Sequence, residues 1–386
     1  MTNKNKKGAG ILRAAAPSII AVLIGLVVGV IVIVATNPEQ AANAIPKFFQ
    51  GPFTRGLTGF GDLLYHMTPL LFTGLSVAFG YQTGLFNIGA SGQFLVGGFL
   101  AILVSAKLEA SVSPSVLWIV AFLVAGIGGA LMGAIVGALK AYRNVNEVIT
   151  SIMLNYSSMY LVNYLIKRLG LYNQLHNNTV SIETHIPKMG LDKIFPGTIS
   201  GGGFILGVIA VIIIYIILKK TTFGYELKGV GLNRHAAKYA GVNENKAIVL
   251  SMAIAGALAG FGGASLYLSG AGNHLTVQEV IPAEGFDGIA IALLGLNEPV
   301  GVFLSTALIS YLKMGGQAIQ TYGYAPELIT MVISFILYVS ALSVLFRQLL
   351  SKKNKDEGSN INAETIENTT APNLDKTDEL VEGGDK

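Results

Sequence analysis

The feature that most constrains this chain is a series of long apolar segments recurring from residue 17 to residue 346. Ten segments are present, at 17–35, 62–80, 87–106, 115–139, 147–166, 202–218, 247–267, 284–296, 299–313 and 326–346. A helix needs about 20 apolar residues to cross the hydrocarbon of a bilayer, and fewer where it is broken or buried among other helices. The pattern therefore predicts an all-α polytopic membrane protein with about ten transmembrane segments.

The composition agrees with this fold and excludes several kinds of site. Only 12% of the residues are charged, about half the fraction expected of a soluble domain. The 47 glycines are dispersed without a period, as in closely packed membrane helices. With no cysteine and five scattered histidines, we expect neither a metal site nor catalytic residues. A membrane-embedded enzyme would need clustered His, Asp or Glu, so this class is disfavoured.

The two apolar segments at 284–296 and 299–313 are short and meet at Asn297-Glu298-Pro299. They form either two half-length helices in a hairpin or a single broken span. We favour a short helical hairpin near the C-terminal end of the membrane domain.

The distribution of basic residues predicts the orientation. With residues 1–16 in the cytoplasm, the inner regions hold sixteen Lys and Arg and the outer loops hold eight. Cytoplasmic loops carry this excess in membrane proteins, so both termini are expected inside. The basic residues then reflect orientation and not nucleic-acid binding. The segment 167–201 becomes a long extracellular loop of the transmembrane domain, which extends over residues 17–346.

The last part of the chain, residues 347–386, differs in composition. From Asn354 onwards it holds nine acidic residues and almost no large apolar ones. Such a segment cannot bury enough surface to fold, so we expect a disordered acidic cytoplasmic tail.

The inner loop at 219–246 is long compared with the other inner connections. Asn233 is a suitable N-cap, and Gly241 is suitable for the position after a helix C-terminus. The pattern predicts a short helix at 234–240 projecting into the cytoplasm. Composition alone supports a docking helix and a solvated connector equally.

This loop resembles the cytoplasmic coupling loop of one permease family in its residues 223–242. Three further motifs agree: GLFNIGASGQFLVGG at 84–98, NEVITSIMLNY at 146–156 and GFDGIAIALLGLNEPVG at 285–301. Together they resemble the branched-chain amino acid/simple sugar type of ABC transporter permease, in particular its nucleoside-importing branch. Ser91 departs from the pattern, because many relatives carry Glu at this position.

The resemblance implies a mechanism and a set of partners. It implies a permease subunit in the bacterial cytoplasmic membrane, paired with a second, related permease or with a copy of itself. An ABC ATPase subunit would use the ATP, since this chain has no phosphate-binding loop and is expected to bind no cofactor. An extracytoplasmic solute-binding lipoprotein would deliver the solute. The residues implied to contact the ATPase are Asn233, Arg234, His235, Ala236, Ala237, Lys238 and Tyr239.

Polar side chains within apolar segments are candidates for lining the solute path, because they are costly at membrane depth. Asp287 is one candidate, although it also suits the positive end of a helix dipole. Asn87 lies where Gly84 and Gly89 favour a broken helix, although it is alternatively a cap. Gln93, about one and a half turns further on, is a similar candidate. Asn155 is the fourth candidate, and an interhelical hydrogen bond is its alternative role.

Two other transport functions remain open from the residues alone. An ion-coupled secondary transporter would require buried carboxylates, and only Asp287 is available. An ABC permease for simple sugars would have the same hydrogen-bonding and aromatic side chains as one for nucleosides. The nucleoside assignment therefore depends on the resemblance.

Overall fold

The computed structural model describes residue 20, residues 22–335 and residues 338 and 339. The expected N-terminal segment at 1–16, the acidic tail at 347–386 and parts of the first and last apolar segments lie outside the described residues. The described part is almost entirely helical.

A helix overlaps each of the ten predicted apolar segments. The helices are α1 (Val22–Thr36), α2 (Pro38–Gln50), α3 (Gly56–Tyr81), α4 (Ala90–Leu108), α5 (Pro114–Arg143), α6 (Glu147–Arg168), α7 (Leu191–Ile194), α8 (Gly203–Lys220), α9 (Thr222–Leu232), α10 (Arg234–Tyr239), α11 (Glu244–Tyr267), α12 (Glu284–Leu294), α13 (Pro299–Ile319) and α14 (Pro326–Phe335). Short 3₁₀ helices lie at Gly51–Arg55 and Gln320–Tyr322, and the strands are β1 (Tyr172–Asn173) and β2 (Asn178–Thr179). Within the described residues, five stretches are long and apolar enough to cross a membrane.

The centre of the bundle is formed by α11, which packs mainly on α5, α4 and α3. At the crossing of α5 and α11 the two backbones touch. An added Cβ on Gly256 would lie 2.1 Å from the carbonyl oxygen of Gly129, and one on Gly129 would lie 2.2 Å from that of Gly256. The dispersed glycines thus permit a backbone contact that a side chain would prevent, as is typical of membrane helices.

The short apolar segments form two helices, α12 and α13, that pack against each other. The tight turn between them places Leu296 and Asn297 at φ +56°. The expectation of two half-length helices is wrong for the second one, because α13 has 21 residues and continues to Ile319. Lys313, the last residue of the predicted segment, therefore lies in the interior of a helix.

The segment between α6 and α8 is joined to the segment that follows α11. Strands β1 and β2 form a small antiparallel hairpin, and Asn178 bridges to Thr276. The Asn163 side chain of α6 donates a hydrogen bond of 2.9 Å to the Gln278 carbonyl. These contacts fix the position of residues 274–283, which lead into α12.

Besides the predicted α10, three helices lie outside the apolar segments and were not expected, namely α2, α7 and α9. Helix α2 begins after Asn37, whose side chain accepts a hydrogen bond from the Gln40 amide at 3.3 Å. Helix α9 begins after Thr221, whose hydroxyl accepts one from the Gly224 amide at 3.2 Å.

Candidate solute path and cytoplasmic coupling surface

The first candidate site lies where the chain is non-helical between α3 and α4, at residues 82–89. Gly84 adopts φ +73°, a conformation that side chains disfavour, and it interrupts the helical path as the sequence predicted. Most of residues 82–89 are buried or partly buried, and buried backbone that is not helical needs other hydrogen-bond partners. The break is therefore a place where polar groups concentrate.

Asn87 and Gln93 face each other across this break. The Asn87 Nδ2 donates to Gln93 Oε1 at 2.9 Å, and Gln93 Nε2 donates back to Asn87 Oδ1 at 3.2 Å. Asn87 Nδ2 also donates to Ser76 Oγ on α3 at 3.0 Å. Both amides are fully buried. The structure thus brings two candidates together, and their contact with solute remains a prediction.

Asn155 holds the break against α6. Its Oδ1 accepts a hydrogen bond from the Gly92 amide at 2.9 Å, and its Nδ2 donates to the Ile88 carbonyl at 3.0 Å. Two backbone groups that the interrupted helix leaves unpaired are satisfied in this way. This is the interhelical hydrogen bonding given above as the alternative role of Asn155.

The N-termini of α4 and α12 meet beside the break. An added Cβ on Gly285 would lie 2.3 Å from both the amide nitrogen and the Oγ of Ser91. The hydroxyls of Ser91 and Ser151 are buried without a hydrogen-bond partner among the described residues. Because Ser91 packs directly on Gly285, a glutamate at this position would collide with α12.

Asp287 forms an ion pair with Lys313 of α13. Both side chains are partly buried and line a cavity of about 230 Å³ together with Gln317 and Thr330. Asp287 also lies in the first turn of α12, so it complements that helix dipole as well. Lys313 was missed as a site residue because it ends the apolar segment predicted at 299–313. A lysine that interrupts an otherwise apolar run was the available signal.

Helix α10 has the ends that the sequence predicts, one residue shorter than expected. The Asn233 side chain accepts a hydrogen bond from the Ala236 amide at 3.0 Å. Gly241 adopts φ +86°, and its amide donates to the Lys238 carbonyl while the Val242 amide donates to that of Ala237. This pair of bonds is a Schellman motif, which satisfies the last carbonyls of the helix.

The coupling candidates divide between two faces of α10. Tyr239 is 94% exposed, and neighbouring Leu232 at the end of α9 is 89% exposed. Ala237 is buried against the core. The remaining exposed candidates are Asn233, His235, Ala236 and Lys238. Large exposed side chains on a short projecting helix are suited to contact a second protein.

Arg234 points in the opposite direction, towards the bundle. Its Nε donates to Glu244 Oε2 at 2.8 Å, and its Nη2 donates to Asn245 Oδ1 at 3.0 Å and to the Ala141 carbonyl at 3.3 Å. One guanidinium therefore connects α10 to the start of α11 and the end of α5. Its geometry suits positioning α10 better than direct contact with a partner.

Helix α9 touches the non-helical break directly. An added Cβ on Gly231 would lie 2.4 Å from the Gln82 carbonyl oxygen. Gln82 in turn donates to the Asn297 carbonyl in the turn between α12 and α13, at 3.1 Å. Beside these contacts Lys219 of α8 pairs with Glu298 at 2.7 Å. The 219–246 loop is thus in contact with both elements that carry candidate path residues.

The sequence of the chain matches a family model and several known proteins. A family model described as the branched-chain amino acid transport system / permease component matches residues 59–342. The chain is 34% identical over 344 residues to the guanosine ABC transporter permease protein NupP of Bacillus subtilis, covering 89% of this chain and 97% of that protein. It is 33% identical to the nucleoside ABC transporter permease protein NupB of Lactococcus lactis subsp. cremoris, covering 86% and 92%.

A third relative has a different solute in its name. It is a glucose ABC transporter permease protein of Haloferax volcanii, 29% identical, with 86% of this chain and 88% of that protein covered. No solved structure matches the chain. Since the family model covers most of the chain and the first two relatives align over nearly their whole length, the chain belongs to the family of branched-chain amino acid transport system permease components.

Proposed function

We propose that this chain is a membrane-spanning permease subunit of an ATP-driven nucleoside importer in the bacterial cytoplasmic membrane. The observation that carries the proposal is its alignment, over nearly the whole length of both proteins, with a guanosine permease and a nucleoside permease. In this proposal the ten helical segments cross the membrane with both termini inside. The 219–246 loop then lies in the cytoplasm and the 167–201 loop outside.

The amides around the break and the Asp287–Lys313 pair support a neutral solute. Asn87, Gln93 and Asn155 are amides, and the charges of Asp287 and Lys313 compensate each other. Neutral hydrogen-bonding groups suit a solute without a net charge, because burying an unpaired charge is costly. A nucleoside meets this requirement.

The cytoplasmic loop supports energy supplied by a partner. An ABC ATPase subunit would contact the exposed face of α10 around Tyr239. Movement of α10 would reach α5 and α11 through Arg234, and movement of α9 would reach the break through Gly231. The other proposed partners are a second, related permease (or a second copy of this chain) and a solute-binding lipoprotein on the outer side.

The glucose permease among the relatives keeps a sugar importer as the second candidate. A test that separates the two uses bacterial cells that lack other nucleoside uptake and express this chain with its partner subunits. We expect accumulation of labelled guanosine that is inhibited by excess unlabelled uridine or adenosine and not by glucose. Accumulation of labelled glucose without guanosine uptake would contradict the nucleoside proposal.

A further inference from the structure

A cavity separate from the Asp287–Lys313 pair lies between α4, α6 and the segment leading into α12. Its volume is about 320 Å³. The polar side chains that line it include Asn163, Tyr267, His274, Gln278 and Glu284. The apolar part of the wall is formed by side chains such as Leu95 and Met159. The cavity therefore combines hydrogen-bonding groups with apolar and aromatic surface, which is typical of small-molecule sites.

Glu284 is the acidic residue in this wall. It is half-buried at the first position of α12. Asp287, one turn later, is paired with Lys313, whereas Glu284 belongs to none of the ion pairs formed within residues 22–335. A carboxylate inside a membrane domain is costly to retain without a partner, so its presence indicates a function.

The chemistry of the wall restricts what Glu284 can bind. An ionised carboxylate offers two oxygens that only accept hydrogen bonds, so the ligand must supply donors. Two adjacent hydroxyls of a ligand can each donate a hydrogen bond to one of the two carboxylate oxygens. Among the described residues that line the cavity there is no lysine or arginine. A phosphorylated solute would therefore be repelled by the carboxylate, with no basic side chain in the wall to compensate its charge. The aromatic ring of Tyr267 and the apolar wall suit a flat, less polar part of the same molecule.

We propose that this cavity binds a neutral solute carrying two adjacent hydroxyls, and that Glu284 accepts hydrogen bonds from both of them. The proposal rests on the proposed function. It adds which part of the solute is bound by this chain. A ribose with free 2′ and 3′ hydroxyls has this arrangement, and the base would lie against the Tyr267 side of the cavity.

The test compares guanosine with 2′,3′-dideoxyguanosine, which lacks both donors. The complete transporter, with its ATPase, second permease and binding protein, is reconstituted in liposomes containing ATP. Maximal uptake rates are measured at saturating concentrations of each solute, so that capture by the binding protein does not limit the rate. The variants are Glu284→Gln and Glu284→Asp, with Glu279→Gln as the matched control, because Glu279 is an exposed carboxylate of the same segment that does not line the cavity.

We expect the wild-type transporter to move guanosine faster than the dideoxy analogue. Glu284→Gln should reduce the ratio of the two rates by roughly tenfold, the effect of weakening charge-assisted hydrogen bonds. Glu279→Gln should leave the ratio unchanged. If Glu284→Gln does not assemble, Glu284→Asp, which keeps the charge and withdraws it by one methylene, should still lower the ratio.

Two results would overturn the proposal, and a third would overturn the proposed function. If the ratio of the guanosine and dideoxyguanosine rates is unchanged in Glu284→Gln, or in Glu284→Asp where that variant is used, the carboxylate does not bind the hydroxyls. An equal loss of both rates would indicate a purely structural role. Absence of guanosine uptake by the wild-type transporter would instead contradict the proposed function, and the two failures are distinguishable because only this one affects the unmodified protein.

Discussion

Arg234 and Glu244 form an ion pair of 2.8 Å that joins the short helix α10 to the first turn of α11. The same guanidinium reaches the Ala141 carbonyl at the end of α5. Helices α5 and α11 make the close backbone crossing at the centre of the bundle. A displacement of α10 would therefore be transmitted to the closely packed pair of α5 and α11.

Reversing one charge of this pair should uncouple α10 from the bundle. We expect Arg234→Glu and Glu244→Arg each to lower ATP-dependent uptake about tenfold. This factor corresponds to a loss of about 1.4 kcal/mol in the free energy that holds α10 in place. The double variant restores an ion pair of opposite polarity but not the hydrogen bond to the Ala141 carbonyl, so it should recover part of the uptake. Membrane insertion, measured by the amount of extracted protein, should not change. A double variant as inactive as the singles would contradict a positioning role.

Tyr239 should be a main contact of the ATPase subunit, because it is almost fully exposed at the end of α10. We expect Tyr239→Ala to reduce co-purification of the ATPase, at a cost of about 2 kcal/mol, as for an interface hot spot. Leu175→Ala is the matched control, since Leu175 is 90% exposed in the loop between β1 and β2, away from α10. The proposed contact would be refuted if the two variants retained equal amounts of ATPase.

The Asp287–Lys313 pair should matter most when only one partner is removed. We expect Asp287→Asn or Lys313→Gln to lower the free energy of unfolding by about 3 kcal/mol, because each leaves an uncompensated charge partly buried. The double neutralisation should cost less than either single change. The thermal stability of the detergent-purified protein measures this effect. The more exposed pair of Lys219 and Glu298 is the control, and its removal should cost at most about 1 kcal/mol.

The crossing of α5 and α11 should not accept a methyl group. In Gly256→Ala the new Cβ would collide with the Gly129 carbonyl, so we expect a loss of about 1–3 kcal/mol or more through overpacking. Gly229→Ala in α9 meets nothing within 4 Å and should be neutral or slightly stabilising, since Ala favours helix by about 1 kcal/mol. Equal melting temperatures for the two variants would show that the backbones do not touch.

Much of the helical architecture was predictable, because apolar length and capping residues are local signals. Asn233 and Gly241 predicted the ends of α10 to within one residue. Gly84 predicted the interruption before α4. The length of α13 was not predicted, since the hydropathy criterion ended the segment at its first charge, Lys313.

The partners of the polar side chains were predictable only in part. Asn87 and Gln93 were identified as candidates, but their mutual hydrogen bonds depend on how the chain folds back across the break. The inward direction of Arg234 depends on Glu244 and on a backbone carbonyl of α5, which lies far away in sequence. Glu284 was not identified at all, because its environment is created by α6 and by the loop that Asn163 holds in place.

The most direct test of the central claim is guanosine uptake into liposomes that contain this chain, with and without its ATPase, second permease and binding protein. The account predicts uptake by the complete assembly that requires ATP on the cytoplasmic side and persists when ion gradients are abolished. It predicts no accumulation by the chain alone under a proton or sodium gradient. Gradient-driven accumulation by the chain alone, without ATP, would contradict the account.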